Sequence, residues 1–314
     1  AVTEQINRLA EAGCDIVRFA VPDRETAENV DKIVGAVSVP LVADIHFDYR
    51  LALMCIERGI SKIRINPGNI GGEDRAAAVA KAAKAKGIPI RIGVNGGSLE
   101  KGLLEKCGGN LAMAMVESAK RHIDILNRYD FDDIVLSMKS SDVRTTIAAY
   151  RLAHESFNYP LHLGVTEAGT VKSGIIKSSI GIGSLLADGI GDTIRVSLTG
   201  DPVKEVEAAR LILRALDMEP DSIQVVSCPT CGRTKIDLIS IANRVTEETE
   251  KLKGKLKVAV MGCVVNGPGE AKDADIGIAG GDGCAVLFKK GEIIKKLPEN
   301  EIVDALMDEI RRMI

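Results

Sequence analysis

Along the first two thirds of the chain, short runs of apolar and β-branched residues recur at intervals of about 20 to 40 residues, with helix-like stretches between them. Seven runs stand out: "DIVRFAVP" near 15, "PLVADIHF" near 40, "KIRINPGN" near 62, "PIRIGVN" near 89, "DIVLSMKS" near 133, "PLHLGVTEAG" near 160 and "DTIRVSLTGDP" near 192. The segments between, such as "GGEDRAAAVAKAAKAKG" and "DPVKEVEAARLILRAL", start on acidic residues and are rich in alanine and leucine, as amphipathic helices are. Repeated βα units of this kind predict an α/β fold, a TIM-type (β/α)8 barrel. Seven strands are one short of eight. The sequence opens in a helix-like pattern ending "EAGCD", without a starting methionine, so a first strand is expected to be missing from it.

After Pro220 the rhythm changes. "SIQVVSCPTCG" and "LKVAVMGCVVNGPGE" are strand-then-turn units, followed by the strand candidates "DADIGIAGG" and "CAVLFKKGE" and a terminal helix "ENEIVDALMDEIRRMI". The expected organisation is a barrel domain over 1–218, a short linker near Met218 to Asp221, and a small α+β domain over 222–314.

Four barrel strands place an arginine between apolar neighbours: Arg18 in "VRF", Arg64 and Arg91 in "IRI", and Arg195 in "IRV". Side chains alternate across a strand, so if the apolar neighbours pack under the helices, all four guanidinium groups point into the barrel. Barrel interiors are normally filled by Val, Ile and Leu, and an unpaired buried charge is costly, so this ring asks for an anionic ligand or for carboxylate partners such as Asp44 and Glu167. Guanidinium forks suit phosphate oxygens. Further polar residues fall at the C-terminal ends of strands, where barrel enzymes carry their chemistry: Asp44 and His46, Asn66, Asn95, Lys139, His162 with Thr166 and Glu167, and Ser197. Lys177 and Ser178 are expected in a loop, with Gly181 and Gly183 ahead of a helix as either a phosphate-cradling turn or a helix-packing feature. His122 and His154 fall in helical stretches and read as packing or surface residues.

Composition narrows the function. The chain has 314 residues, 46% of them hydrophobic, enough to fill substantial cores. It has neither a run of about 20 apolar residues nor the pattern of a signal peptide, so a soluble cytoplasmic protein is expected. A formal net charge of −3 and 3% aromatic residues give no reason to bind nucleic acid. In a reducing compartment the seven cysteines are expected as thiols. Cys14, Cys55 and Cys107 read as small buried hydrophobes. Cys228 and Cys231 form a pair at ligand spacing, and Cys263 stands alone in a glycine-rich turn with Glu270 seven residues on. A zinc ribbon would need a second pair, and Cys284, which opens an apolar strand, is a poor fourth ligand. Three cysteines suit a cubane iron–sulfur cluster with one replaceable ligand; Glu270 is either that ligand or a solvated carboxylate.

At these residues the sequence resembles the 4-hydroxy-3-methylbut-2-enyl diphosphate synthases of the non-mevalonate isoprenoid pathway, in their bacterial two-domain form. "ADIHF", "RINPGN", "RIGVN", "GVTEAG", "GIIKSS", "IRVSL", "CPTCGR" and "MGCVVNGPGE" stand in family order across nearly the whole chain. The resemblance implies two-electron reductive ring opening and dehydration of 2-C-methyl-D-erythritol 2,4-cyclodiphosphate, with a [4Fe-4S] cluster held by Cys228, Cys231, Cys263 and Glu270. It implies that Arg18, Arg64, Arg91, Arg195, Lys139 and Lys177 hold the diphosphate, that Glu167 donates a proton, and that Asp44, His46, Asn66, Asn95, His162, Thr166, Ser178 and Ser197 orient the substrate. It also implies a head-to-tail homodimer and reduced flavodoxin or ferredoxin as electron donor. Two other readings keep part of the pattern: a barrel lyase or aldolase on a sugar phosphate with a structural zinc and a Schiff-base Lys139, and an electron-relay module.

Overall fold

The computed structural model describes residues 1–66, 70–264, 271 and 273–314, which fall into two compact units, Ala1–Leu216 and Asp217–Ile314. In the first unit, strands β1 (Val17–Ala20), β2 (Leu41–Asp44), β3 (Lys62–Ile65), β4 (Ile90–Asn95) and β5 (Ile134–Lys139) form a parallel sheet in chain order. Strands β6 (His162–Leu163) and β7 (Thr193–Ile194) pair with each other, and a parallel bridge from Leu136 to Leu161 joins them to β5. All seven runs seen in the sequence are strands, the last two shorter than their patterns suggest. Tyr150 gives a physical reason on the β5 side. Its buried hydroxyl accepts from the Met138 N–H and donates to the His162 carbonyl, taking bonds that a longer β5–β6 ladder would use.

Several of these strands lead into a helix whose start is chemically marked. Asp48, Asn110 and Asp142 cap Tyr49–Glu57, Leu111–Asn127 and Val143–Ser156 through side-chain bonds to N–H groups of the first turn. Glu73–Lys86 carries Glu73 and Asp74 in its first turn and Lys84 and Lys86 in its last, and ends on Gly87 at φ 63°. The core lies between strands and helices. Ile63, Ile65, Ile90 and Ile92, the neighbours that flank Arg64 and Arg91, are fully buried within it, each contributing on the order of 1.5–3 kcal/mol. Among the described residues no ladder joins β7 to β1. The helices Val2–Glu11 and Val203–Ala215 are tied instead by the Arg8–Asp201 ion pair at 2.7 Å and by Arg210 donating to the Gly13 carbonyl.

One expectation fails here. Lys177, Ser178, Gly181 and Gly183 lie inside the helix Val171–Ala187, neither in a loop nor ahead of a helix. The buried positions Gly174, Ser178, Gly181, Ile182 and Leu185 follow a helical period, and a Cβ on Gly181 would sit 2.5 Å from Val165 Cγ2. Gly181 is therefore a packing glycine.

In the second unit the sheet order is β12-β11-β10-β9-β8, with β8 (Ile223–Ser227), β9 (Leu256–Met261) and β10 (Ile276–Gly281) parallel, and β11 (Cys284–Lys289) and β12 (Glu292–Pro298) antiparallel to their neighbours. Helices Leu238–Thr249 and Ile302–Met313 pack Ile241, Val245, Leu306 and Ile310 against Val258, Val260, Ile276 and Ile278. Strand β12 left no alternating signal because all its residues but Leu297 are exposed.

The centre of this sheet has no spare volume. A Cβ on Gly277 would lie 2.6 Å from the Ala259 carbonyl oxygen and 2.5 Å from Phe288 Cζ. Gly277→Ala is expected to destabilise the second unit by about 1–3 kcal/mol, read as a lower denaturation midpoint; an unchanged midpoint would show that the sheet yields.

Candidate functional site

The inward positions of the barrel strands carry charge where most barrels carry aliphatics. Parallel register sets Asp44 beside Arg64 and Arg64 beside Arg91. Arg64 and Arg91 are buried, whereas Arg18 and Arg195 are half-buried. Asp44 accepts from Arg18 Nη1 at one oxygen and from Arg64 Nη1 at the other, the latter at 2.9 Å. The carboxylate pairing left open by the sequence is thus realised for part of the ring. Two arginines have a carboxylate partner, while Arg91, Arg195 and Lys139 make no ion pair among the described residues. Arg195 donates to Ser197 Oγ at 2.6 Å, and Glu205 exerts a weaker pull on it.

Burial and crowding set the protonation of this cluster. Burial by itself would raise the Asp44 carboxyl, but Arg64 and Arg18 override it and hold Asp44 below the usual carboxylate range. Burial, then Arg18, Arg64 and Arg195, push Arg91 down to about 9. Burial, then Arg64, Arg18 and Arg195, push Lys139 down to about 7. His162 falls well below its ordinary value, first through burial and then through Arg91 and Arg195. His46 is lowered by burial against the opposing pull of Asp44; its Nε2 lies 3.1 Å from Arg64 Nη1, a contact in which neutral imidazole is the acceptor.

Arg91, Lys139, His162, Thr166 and Arg195 line one cavity together with Ser137 and Gly164. Asp44, Arg64, His46 and Arg18 are linked to this group by contact or by charge. The remaining candidates are placed differently. Asn66 is half-buried just beyond β3. Asn95 is exposed and accepts from the Gly97 N–H, capping a short turn. Glu167 is exposed at φ 52°, a left-handed conformation that costs a non-glycine residue about 1 kcal/mol or more. Lys177 is exposed on its helix, and Ser178 is fully buried with no hydrogen-bond partner for its hydroxyl among the described residues.

Sequence reasoning missed Ser137, Gly164, Gly93 and Tyr150, and also Lys62, whose charge helps hold His162 down. Period-two alternation held the signal for most of them: Ser137 shares a face with Lys139, Gly164 with His162 and Thr166, Gly93 with Arg91, and Lys62 with Arg64. The two glycines make room. A Cβ on Gly93 would lie 2.5 Å from Arg64 Nε, and one on Gly164 would lie 2.9 Å from the Arg195 carbonyl. No comparable signal marks Tyr150, which acts from a helix.

In the second unit, Cys228 and Cys231 follow β8 and Cys263 follows β9, so parallel pairing brings all three to one end of the sheet. The Gly262 N–H points at Cys228 Sγ at 3.2 Å. Thr234 Oγ1 accepts from the Cys231 N–H, and the Lys235 N–H bonds the Gly262 carbonyl, folding the "CPTCGR" loop onto the end of β9. The Arg233 N–H holds the Cys231 thiol below its ordinary value. This donor set, soft thiolates with an N–H already aimed at sulfur, fits an iron–sulfur group. Among the described residues, however, no three metal-ligating side chains converge, and Glu270 lies outside those residues. Cys284 opens β11 as its pattern suggested. Cys55 is buried, whereas Cys14 and Cys107 are only half-buried.

Residues 1–210 match the GcpE TIM-barrel domain, and residues 224–312 match the GcpE protein C-terminal domain. The chain is 61% identical over 310 residues to a protein of Clostridium acetobutylicum named 4-hydroxy-3-methylbut-2-en-1-yl diphosphate synthase (flavodoxin), covering 99% of this chain and 89% of that one. It is 60% identical over 313 residues to one of the same name from Ruminiclostridium cellulolyticum, covering 100% and 89%. With a third, from Geobacillus thermodenitrificans, the identity is 56% over 313 residues, covering 100% and 84%. No helix among the described residues is long and apolar enough to cross a membrane.

Asp44 is the barrel's internal counter-charge. Asp44→Asn should cost about 3–5 kcal/mol at neutral pH, because Arg18 and Arg64 are left uncompensated. The folded carboxyl titrates below its unfolded value of about 3.9, so the stability it adds is present above that pH and lost as pH falls through the folded value. Denaturation of both proteins should therefore show a gap that closes below about pH 4; a gap that persists there would assign Asp44 a different role.

Proposed function

The chain belongs to the GcpE family, and from that premise we propose that it catalyses the reaction for which its relatives are named, forming 4-hydroxy-3-methylbut-2-enyl diphosphate by reductive ring opening of 2-C-methyl-D-erythritol 2,4-cyclodiphosphate. Two electrons and one proton convert the cyclic dianion to the open trianion and water. The observation that carries the reading is the unmatched positive charge of Arg91 and Arg195, which line one cavity with Lys139 beside the Asp44-paired Arg18 and Arg64. A diphosphate supplies the missing anion, and forked guanidinium donors can hold it at the end where charge grows as the ring opens.

Within this reading His46, Asn66, Asn95, His162, Thr166 and Ser197 orient the substrate. Ser197 does so through Arg195, and neutral His162 and His46 offer hydrogen bonds without adding charge. Glu167, held in a strained turn after β6, is the proposed proton donor to the departing hydroxyl. The proposed set does not extend to Lys177 and Ser178, which lie along a helix.

Cys228, Cys231 and Cys263 would hold a [4Fe-4S] cluster, with Glu270 as a displaceable fourth ligand. Such a cluster supplies both electrons and a Lewis acid when bound. Reduced flavodoxin, named for the relatives, is the proposed donor, with ferredoxin as the alternative. A head-to-tail homodimer would let the C-terminal unit of one copy serve the barrel of another. The enzyme is proposed to work in the cytoplasm.

Anaerobically purified protein should contain about four irons per chain and consume the cyclic diphosphate when reduced, whereas stoichiometric zinc and no turnover would favour the lyase. Arg91→Met should lower kcat/KM by about 10²–10³ at unchanged iron content, and near-normal turnover would remove Arg91 from the site.

A further inference from the structure

We propose that the barrel takes up one proton as it binds its anionic substrate, and that this proton settles on Lys139 Nζ. The inference rests on the cyclic diphosphate being the substrate, and it adds a step that the reading of the site does not itself contain. Lys139 ends β5 on the face shared with Ser137, is half-buried, and has no side-chain hydrogen bond or ion pair among the described residues. Cations face it from several directions: Arg18 on β1, Arg64 on β3 and Arg195 just past β7, with Arg91 on β4 lining the same cavity. Asp44 on β2 is the carboxylate that opposes them, and it is already shared by Arg18 and Arg64. Burial and these guanidinium groups bring the amine down to about 7, so much of the empty enzyme carries it uncharged above neutral pH.

The substrate cannot supply the proton. Each of its phosphorus atoms is bound within the ring through one ester and one anhydride oxygen, which leaves one charge that does not titrate near neutrality. A dianion placed against Lys139 removes the electrostatic reason for its low basicity, so the ammonium form returns on binding. Other groups in the cavity are poorer acceptors. His162 is held neutral by burial and by Arg91 and Arg195, and His46 by burial and by Arg64, which donates to its Nε2. Arg91 is still charged at pH 8. Apparent affinity should then weaken roughly tenfold per pH unit above about 8, the slope of one linked proton.

Isothermal titration of the oxidised holoenzyme with the cyclic diphosphate tests this, since no turnover occurs without reductant. Heats at pH 8 in two buffers of different ionisation enthalpy should report close to one proton taken up, falling towards none near pH 6. Lys139→Arg should still bind, without uptake and with affinity nearly flat from pH 7 to 8. Binding by the unmodified enzyme without uptake overturns the inference and leaves the proposed function intact, whereas no binding at all overturns both. Uptake that persists in Lys139→Arg moves the proton elsewhere and overturns the assignment. Should that variant not fold, carbon-13 labelling at lysine Cε in the unmodified enzyme gives the same decision: a lysine titrating near 7 must lose that titration when substrate is added.

Discussion

Repulsion among Arg18, Arg64, Arg91, Arg195 and Lys139, answered by the carboxylate of Asp44, is the constraint to which the barrel interior is fitted. Gly93 is bare because Arg64 lies against it, and Ser197 gives Arg195 an acceptor where, among the described residues, no carboxylate pairs with it. His46 and His162 stay neutral because another cation in this space would cost more than it returns. A barrel filled with Val and Ile would be easier to fold. Buried charge on this scale is what the proposed anionic substrate would neutralise.

Much of this was legible in the chain. Inward arginines follow from strand alternation, and the seven strands follow from apolar runs separated by helical stretches. What stayed hidden has physical causes. Whether an arginine finds a carboxylate depends on register between strands, which set Asp44 beside Arg64 and left Arg91 without an ion pair among the described residues. Tyr150 bonds β5 to β6 from a helix, so no strand pattern could reveal it. The Gly181–Gly183 stretch looked like a turn because glycine serves both turns and tight helix packing, and only the contact with Val165 separates the two. Strand β12 was missed because an exposed edge strand has no buried face to generate alternation.

The second unit shows how spacing and topology divide the information. The Cys228–Cys231 spacing pointed to a metal, but a lone Cys263 could join them only if β8 and β9 were parallel neighbours with their ends aligned. That pairing exists, and the Gly262 N–H aimed at Cys228 gives the sulfur a hydrogen bond suited to a ligated thiolate. The match to the GcpE barrel and C-terminal domains places both units in one family.

The most direct test of the central claim, that the cationic barrel is completed by a diphosphate, is the melting temperature of the oxidised enzyme with and without the cyclic diphosphate. Uncharged methylerythritol at the same concentration serves as the control. Ligand at about 100 times its dissociation constant should stabilise the fold by about 2.7 kcal/mol, and the shift should shrink as salt rises while the uncharged polyol has no effect. Equal shifts with both compounds, or none with either, would contradict it.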